Sequence, residues 1–401
     1  MRLVHYAVAA LAIRLADMGA RVALTLLAVE RAGGAAAAGV LVAALLVPHV
    51  VAAPVAGLLS DRARRPQLVT AAAALVLAGA LTVAAVGTGA LPLAAVAGAL
   101  LLAGCSGPLL TGGLTSRLGE IVPPDRLPRA FGVDSATYGV AGLAGPALAA
   151  AVAAVWSAAA ATGVLAALAV LGAVVVASLP MRSGAPDGSP VRLRDGAAAI
   201  TRSRGLSVVT ATTTVGDVPT GMLPVAAVLV AEAAGFGDAA GWLVTAVAGG
   251  ALVGSVVWTI RPAGADRALQ VLALSQIATA VPLAVAALLP MHVVAVGVLF
   301  ALSGVAQGPL VGAMFTARQA YAPPAVRGQV FTTAAGLRTT AEALGAGLAG
   351  LLAGFGPTVV LGVATAFPLV AAGGGLAGPR RAQVSDQDST DKSRGTVGAQ
   401  R

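Results

Sequence analysis

Long apolar runs and short polar breaks alternate along the whole chain. Each run covers about 20 residues, the length that a helix needs to cross the hydrocarbon core of a bilayer. The pattern predicts an all-α membrane protein with twelve spanning helices. The runs fall near 6–30, 35–58, 68–88, 91–115, 131–153, 156–179, 206–232, 239–260, 268–289, 292–316, 329–353 and 356–378.

Composition supports this prediction. Of the 401 residues, 58% are hydrophobic and only 10% are charged, whereas soluble domains carry roughly 25% charged residues.

The first run is interrupted by Arg14 and Asp17 and lacks a small-residue cleavage site, so we interpret it as a retained first span and not as a removed signal peptide.

The net charge of +9 indicates how the helices are oriented. With the N-terminus inside, all of the 25 Lys and Arg residues except Arg14, Arg21, Arg31 and Arg338 fall in predicted cytoplasmic segments. Cytoplasmic loops retain Lys and Arg, so we expect both termini in the cytoplasm. A nucleic-acid-binding protein is excluded, because the bases lie in separate short loops and only 3% of residues are aromatic.

The second half of the chain repeats the first at an offset of about 200 residues. Asp17 aligns with Asp217, and Phe131 aligns with Phe331. The ordered series predicts two six-helix bundles that are parallel repeats. Further aligned segments are Gly104-Cys-Ser-Gly107-Pro108 with Gly304-Val-Ala-Gln-Gly308-Pro309, Thr115-Ser-Arg117 with Thr316-Ala-Arg318, and Pro123-Pro124 with Pro323-Pro324.

This repeat divides the chain into four parts. We predict an N-terminal bundle at 1–179, a cytoplasmic linker at 180–205, a C-terminal bundle at 206–378 and a tail at 379–401. The linker is rich in Pro, Gly and Arg, which is typical of a flexible connection. The tail is polar and lacks periodicity, so we expect it to be disordered.

A loop with one acid and three arginines lies between the second and third runs, from Gly57 to Pro66. It resembles the signature loop of the major facilitator superfamily, roughly Gly-x-x-x-Asp-Arg-x-Gly-Arg-Arg. An ordinary positive cytoplasmic loop is the alternative. The matching residues are Gly57, Asp61, Arg62 and Arg65, whereas Arg64 and Pro66 depart from the pattern.

The resemblance extends over about residues 5 to 378 and implies a twelve-helix transporter, in which this loop acts in conformational switching. A second copy of the loop, near Arg261–Arg267, lacks an acid at the place of Asp61.

In the fifth helix, Gly142, Gly145 and Pro146 resemble the Gly-Pro motif that exporters and antiporters of the superfamily carry there. Generic tight packing of small residues is the alternative interpretation.

Ionisable residues inside a membrane are expensive, at about 2.5–3.5 kcal/mol for a helix centre. Arg14, Asp17 and Arg21 share one face of the first helix, because they recur at i, i+3 and i+7. This face is a candidate site for an anionic substrate or for proton coupling. A structural ion pair near the inner end of the helix explains the same pattern.

Asp217 occupies the matching place in the seventh helix, just before Pro219. A pair of acids that face each other across the two halves would suit proton coupling. Asp217 could instead bind nearby threonine hydroxyls. Under the first interpretation, it is a candidate residue for proton coupling or for a substrate cavity.

Other ionisable residues favour structural roles. We expect Asp134 to cap its helix or to pair with Arg129 or Arg62, and Arg338 to pair with Glu342 four residues away. A lone histidine, His49, is more typical of packing than of a proton relay.

The sequence offers no enzyme constellation, no metal-ligand spacing and no ATP-binding loop, so we expect no metal and no cofactor. Our first hypothesis is a monomeric secondary transporter of the bacterial inner membrane, which exports a small amphipathic drug or metabolite in exchange for protons. The alternatives are an importer or facilitator of a polar metabolite, and a non-transporting membrane sensor of the same fold.

Overall fold

The structure, a computed structural model, describes residues 2–32, 35–181, 192–236, 239–289 and 292–376. Residues 182–191 of the predicted linker and the whole predicted tail lie outside these ranges. The described residues are almost entirely helical. They form twelve long helical segments, which we number α1 to α12, and a short linker helix at Asp195–Arg202.

The first six segments form the N-terminal half. They are α1, Arg2–Arg31; α2, in two parts, Ala35–Leu46 and Pro48–Arg62; α3, Pro66–Gly87; α4, Leu93–Pro108 with a π-helical continuation at Leu109–Gly113 and a last turn at Leu114–Ser116; α5, Leu127–Val155; and α6, Ala158–Ala177.

The second six form the C-terminal half. They are α7, in two parts, Arg204–Gly216 and Val218–Ala233; α8, Ala239–Ile260; α9, Ala268–Leu288; α10, Val293–Tyr321; α11, Arg327–Leu352; and α12, Pro357–Leu376.

Ten helices of the described chain are long and apolar enough to cross a membrane, judged by length and composition. The two long segments outside this set are α1 and α11. They are also the segments that carry the Arg14, Asp17 and Arg21 face and the Arg338 and Glu342 pair. The architecture is consistent with the twelve predicted spans and confirms the all-α membrane fold class.

Small residues let the helices within each half approach closely. In the N-terminal half, α1 packs against α5 and α6. A Cβ atom on Gly19 of α1 would lie 2.8 Å from the carbonyl oxygen of Gly145 in α5, so this crossing requires glycine. In the C-terminal half, α8 and α9 pack against α10. Because lipid provides no hydrophobic drive between helices, van der Waals packing at such close contacts contributes to their association, together with interhelical hydrogen bonds and lipid entropy.

The two halves meet along four main contacts: the second part of α2 with α11, the π-helical part of α4 with α11, α5 with α8, and α5 with α10. These pairs join the halves at the end that carries the signature loop, which we call the loop end. Between the two halves lies a cavity that helices of both halves line.

Candidate functional site

The central cavity has a volume of about 380 Å³. Helices α1, α2, α4 and α5 line it from one half, and α7, α8, α10 and α11 line it from the other. Its walls are mostly apolar, with a small number of charged groups, which is typical of a site for a small organic molecule. The apolar wall includes Leu46, Leu223, Val244, Val247, Val311 and Phe315.

On the N-terminal side, Asp17 and Arg21 reach this cavity. A carboxylate oxygen of Asp17 lies 3.9 Å from a guanidinium nitrogen of Arg21. The Asp17 side chain is 10% exposed and the Arg21 side chain is 44% exposed. The ion pair is therefore loose, and Arg21 extends into the open space. His49 also lines the cavity, with Nδ1 at 3.0 Å from the carbonyl oxygen of Leu45.

On the C-terminal side, a break in α7 places Asp217 beside α11. Pro219 follows two residues later and has no N–H for the helical ladder, which favours the break. Arg338 of α11 donates to the carboxylate of Asp217 and lines the cavity with Glu342. We expected Arg338 to pair with Glu342, but the structure pairs it with Asp217. The expectation used neighbours on one helix only, and the ion pair joins two helices.

Arg14 does not line the cavity, which corrects its place in the predicted cluster. It is 1% exposed and turns towards α5, where its guanidinium lies 2.8 Å from the carboxylate of Asp134. The same carboxylate accepts a hydrogen bond of 2.6 Å from the hydroxyl of Tyr6, and Arg14 lies 3.5 Å from the centre of the Tyr138 ring. Arg14 and Asp134 thus form a buried ion pair within the N-terminal half, and Asp134 pairs with Arg14 instead of the expected Arg129 or Arg62.

The loop end is closed by contacts between the halves. Asp61, at the end of α2, accepts hydrogen bonds of 2.8 Å from the backbone N–H groups of both Gly328 and Gln329. These two residues begin α11, where the N–H groups have no partner within the helix and where the helix dipole favours a negative charge. Gly57, one turn earlier, packs so closely that a Cβ atom there would overlap Thr332 and Gln329.

The sequence pattern matched Arg62 and Arg65 within the signature loop, but the arginine paired with Asp61 comes from outside the loop. Arg62 and Arg65 are exposed. The base beside Asp61 is Arg117, whose guanidinium lies 3.6 Å from the carboxylate and 2.7 Å from Glu120. Sequence reasoning missed Arg117 because it was assigned to a loop after the fourth span. Its position in the repeated Thr-Ser-Arg and Thr-Ala-Arg segments was the available signal.

Gln329 links the same contact to the linker helix. Its side-chain oxygen accepts a hydrogen bond of 3.1 Å from the backbone N–H of Gly196, and its side-chain nitrogen donates to the carbonyl of Arg192 at 3.2 Å. The start of α11 is therefore held from two sides, by Asp61 and by the linker.

The predicted exporter motif in α5 faces both a helix and the cavity. Gly145 is the residue that lets α1 approach, and Pro146 follows it within α5. Gly142 lines the cavity, where the nearest heavy atom to a Cβ added there would be the sulfur of Met18 at 3.7 Å. Both close packing and cavity shape thus depend on this segment.

Aromatic rings lie at the loop end of the cavity. The ring of Phe315 lies 5.7 Å from that of Phe131 and 6.0 Å from that of Phe331, measured between centroids. The three phenylalanines come from α10, α5 and α11, so this cluster spans the interface between the halves. In the part of the chain that the structure describes, no three His, Cys, Asp or Glu side chains come together as metal ligands.

The family model described as Major Facilitator Superfamily matches residues 6–350. Comparison with curated proteins gave no match.

Among solved structures, the chain is similar to two crystal structures of a bacterial homologue of the iron transporter ferroportin in the outward-facing state. The one with soaked iron is 17% identical with a TM-score of 0.72, and the comparison covers 94% of this chain and 98% of that one. The other is 16% identical with a TM-score of 0.75, with the same coverage. At this identity, the likeness shows a shared fold.

Proposed function

The chain belongs to the major facilitator superfamily and is a membrane transporter, and from that premise we propose that it exports a small amphipathic molecule in exchange for protons. The observation that carries this proposal is the central cavity. It lies between the two halves, its walls are apolar, and charged groups from both halves reach it. An amphipathic molecule needs both kinds of surface.

The closed loop end supports an alternating cycle. Asp61 holds the start of α11 against the end of α2, so the halves are joined at this end of the cavity. In the proposed cycle, this is the conformation that opens to the outside. Release of the Asp61 contacts would let the halves part at the loop end and receive substrate from the cytoplasm.

Asp17 is the residue that we propose as the proton carrier. Asp217 accepts a hydrogen bond directly from Arg338, whereas Asp17 lies 3.9 Å from a half-exposed Arg21. A carrier must lose stabilisation of its charged form in one state of the cycle. The loose pair on α1 can separate at lower cost than the direct contact on α7.

The export direction is supported by the segment Gly142 to Pro146, which resembles that of exporters and antiporters and of which Gly142 lines the cavity. The similar structures are those of a homologue of an iron transporter. The described residues of this chain do not support iron as its substrate, because no three metal-ligating side chains come together among them.

The test uses proteoliposomes that contain the full chain and a pH-sensitive dye inside. Three naphthalene derivatives of similar size are added outside in turn: naphthalene-2-sulfonate, naphthalene-2-methanol and 1-naphthylmethylammonium. We expect at least one of them to evoke proton movement in the opposite direction, because exchange couples the two fluxes. Liposomes without protein are the control. Absence of protein-dependent proton movement with all three compounds would contradict proton-coupled transport of amphipathic molecules.

A further inference from the structure

Arg318 lines the cavity near the loop end. It lies three residues before the end of α10, and the side chain is 1% exposed. Its Nη2 donates a hydrogen bond of 2.8 Å to the hydroxyl of Thr213 in α7, and its Nε is buried without a hydrogen-bond partner. A hydroxyl can accept a hydrogen bond but cannot neutralise the positive charge.

Arg14 and Arg117 also have a buried Nε without a hydrogen-bond partner, but the charge of each is neutralised by a carboxylate. Arg14 lies 2.8 Å from the carboxylate of Asp134, and Arg117 lies 2.7 Å from that of Glu120. Arg338 donates to Asp217. Of the three fully buried arginines that the structure describes, Arg14, Arg117 and Arg318, only Arg318 has no carboxylate within 4 Å.

A buried charge without a counter-charge is strongly destabilising. Inside a membrane, an ionisable residue of this kind is by default a candidate functional residue, and Arg318 lies on the wall of the cavity that the proposed function assigns to the substrate. Its planar guanidinium matches the geometry of a carboxylate, sulfonate or phosphate. Phe315, Phe331 and Val311 provide apolar surface on the same cavity.

From this arrangement, and resting on the proposed function of the cavity, we infer that Arg318 binds an oxyanion group of the transported molecule. The substrate is then an amphipathic organic anion, with its charged end towards Arg318 and its apolar part against the phenylalanine and valine side chains. Arg338, which lines the same cavity, adds positive charge there but is already paired with Asp217.

The test measures thermal unfolding of the full chain in phosphatidylcholine nanodiscs. Naphthalene-2-sulfonate is the anionic probe, and naphthalene-2-methanol is a neutral probe of similar size. We expect the sulfonate to raise the unfolding midpoint of the wild type more than the alcohol does. Arg318→Gln should weaken sulfonate binding by about tenfold or more, as loss of a charge-assisted hydrogen bond does, and should leave the response to the alcohol unchanged.

Two further variants serve as controls. Arg318→Lys keeps the charge but not the planar fork, and should keep part of the sulfonate response. Arg126→Gln removes a base that is 75% exposed, and should keep all of it. An equal response of the wild type to the two probes would overturn the inference, and so would a sulfonate response that survives in Arg318→Gln.

The midpoint without any probe separates binding from structural support. Removal of an unneutralised buried charge should leave this midpoint unchanged or raise it. If Arg318→Gln has a lower midpoint without probe and still responds to the sulfonate, the role of Arg318 is to hold Thr213 in place. That result would overturn the inference.

Nanodiscs with added phosphatidylglycerol distinguish the source of the anion. A rise of the midpoint that needs Arg318 and occurs without probe would identify a lipid headgroup in place of a transported molecule, and would overturn the substrate assignment. All of these measurements detect binding and do not require transport. If they overturn the role of Arg318, the proposal of proton-coupled export still stands or falls by the proteoliposome experiment.

Discussion

The carboxylate of Asp61 accepts a hydrogen bond of 2.8 Å from the backbone N–H of Gly328, although 267 residues separate the two along the chain. The second carboxylate oxygen accepts the next N–H, that of Gln329, at the same distance. One side chain of the N-terminal half thus satisfies two free N–H groups at the start of α11 in the other half. The contact can exist only while the halves touch at the loop end. It therefore stabilises the conformation in which this end is closed and not the one in which it is open.

Asp61→Asn should weaken this contact while the protein remains folded. An amide has one oxygen, and its NH₂ group would point a donor at one of the two backbone donors. Each hydrogen bond to a charged group contributes about 1.5–3 kcal/mol. We expect the backbone N–H groups of Gly328 and Gln329 to exchange with deuterium roughly tenfold faster or more, since about 1.4 kcal/mol corresponds to a factor of ten. Hydrogen–deuterium exchange with mass spectrometry in nanodiscs measures this directly.

The matched control is Asp125→Asn, which removes an exposed acid that lies 3.8 Å from Arg126. Exposed pairs of this kind contribute little, so exchange at the start of α11 should not change. Wild-type exchange rates in Asp61→Asn would show that the carboxylate does not hold the halves together.

Gly57→Ala should open the loop end by overlap instead of by loss of charge. A Cβ atom at Gly57 would collide with the backbone of Gln329 and the side chain of Thr332. Spin labels on cysteines at the exposed positions Arg64 and Asp266, in a Cys105→Ala background, report the separation of the halves. We expect the distance distribution to shift to longer distances in Gly57→Ala.

Gly79→Ala is the corresponding control, because nothing lies within 4 Å of a Cβ atom at that glycine of α3. This substitution also raises helix propensity, so it should be neutral or slightly stabilising. An unchanged distance distribution in Gly57→Ala would mean that the halves are not in close contact at this position in the membrane.

The sequence predicts the helices and the closing loop because both signals are local. Apolar runs of membrane length follow from hydropathy, and the acid at the end of α2 is recognisable within ten residues. The ion pairs are different. Arg14 and Asp134 are 120 residues apart, and Asp217 and Arg338 are 121 residues apart, so their pairing depends on how neighbouring helices rotate and pack.

The sequence also placed the ends of some helices too early, and this hid two buried arginines. The apolar run of the tenth span stops at residue 316, but α10 continues through Arg318 to Tyr321. A polar residue near the end of a hydrophobic run was assigned to solvent, whereas neighbouring helices bury it. Arg117 was missed for the same reason, and both arginines became visible as functional candidates only from their burial.

Arg14 and Asp134 should behave as a buried pair whose members are stable only together. Arg14→Met leaves a buried carboxylate without its cation, and Asp134→Asn leaves a buried cation without its carboxylate. We expect each change to lower the free energy of unfolding by about 3–5 kcal/mol. In the double variant neither charge remains, so much of the loss should be recovered. Unfolding in mixed detergent micelles measures the four proteins of this cycle.

Additive losses in the double variant would contradict a direct pair and would assign the two residues independent roles. A parallel cycle on the exposed Arg126 and Asp125 should give a coupling energy near zero, since solvent screens that pair.

The predicted orientation is tested by labelling of single cysteines in intact cells, again in the Cys105→Ala background. Ala197 lies on the linker helix and Ala90 lies between α3 and α4, and both are exposed. The distribution of Lys and Arg places the linker inside and the second position outside. We expect an impermeant thiol reagent to label Ala90→Cys but not Ala197→Cys until the cells are permeabilised. Labelling of Ala197→Cys in intact cells would reverse the topology.

Asp17→Asn separates proton coupling from transport itself. A neutral amide cannot exchange a proton, so substrate accumulation driven by a pH gradient should be lost, while exchange of substrate down its own gradient should continue. The measurement compares these two fluxes in proteoliposomes for whichever of the three naphthalene compounds the wild type transports. Asp217→Asn is the comparison: because Arg338 donates to Asp217, we expect this variant to lose folded protein more than coupling. Coupled accumulation that persists in Asp17→Asn and disappears in Asp217→Asn, at equal amounts of folded protein, would move the proton-carrying role from α1 to α7.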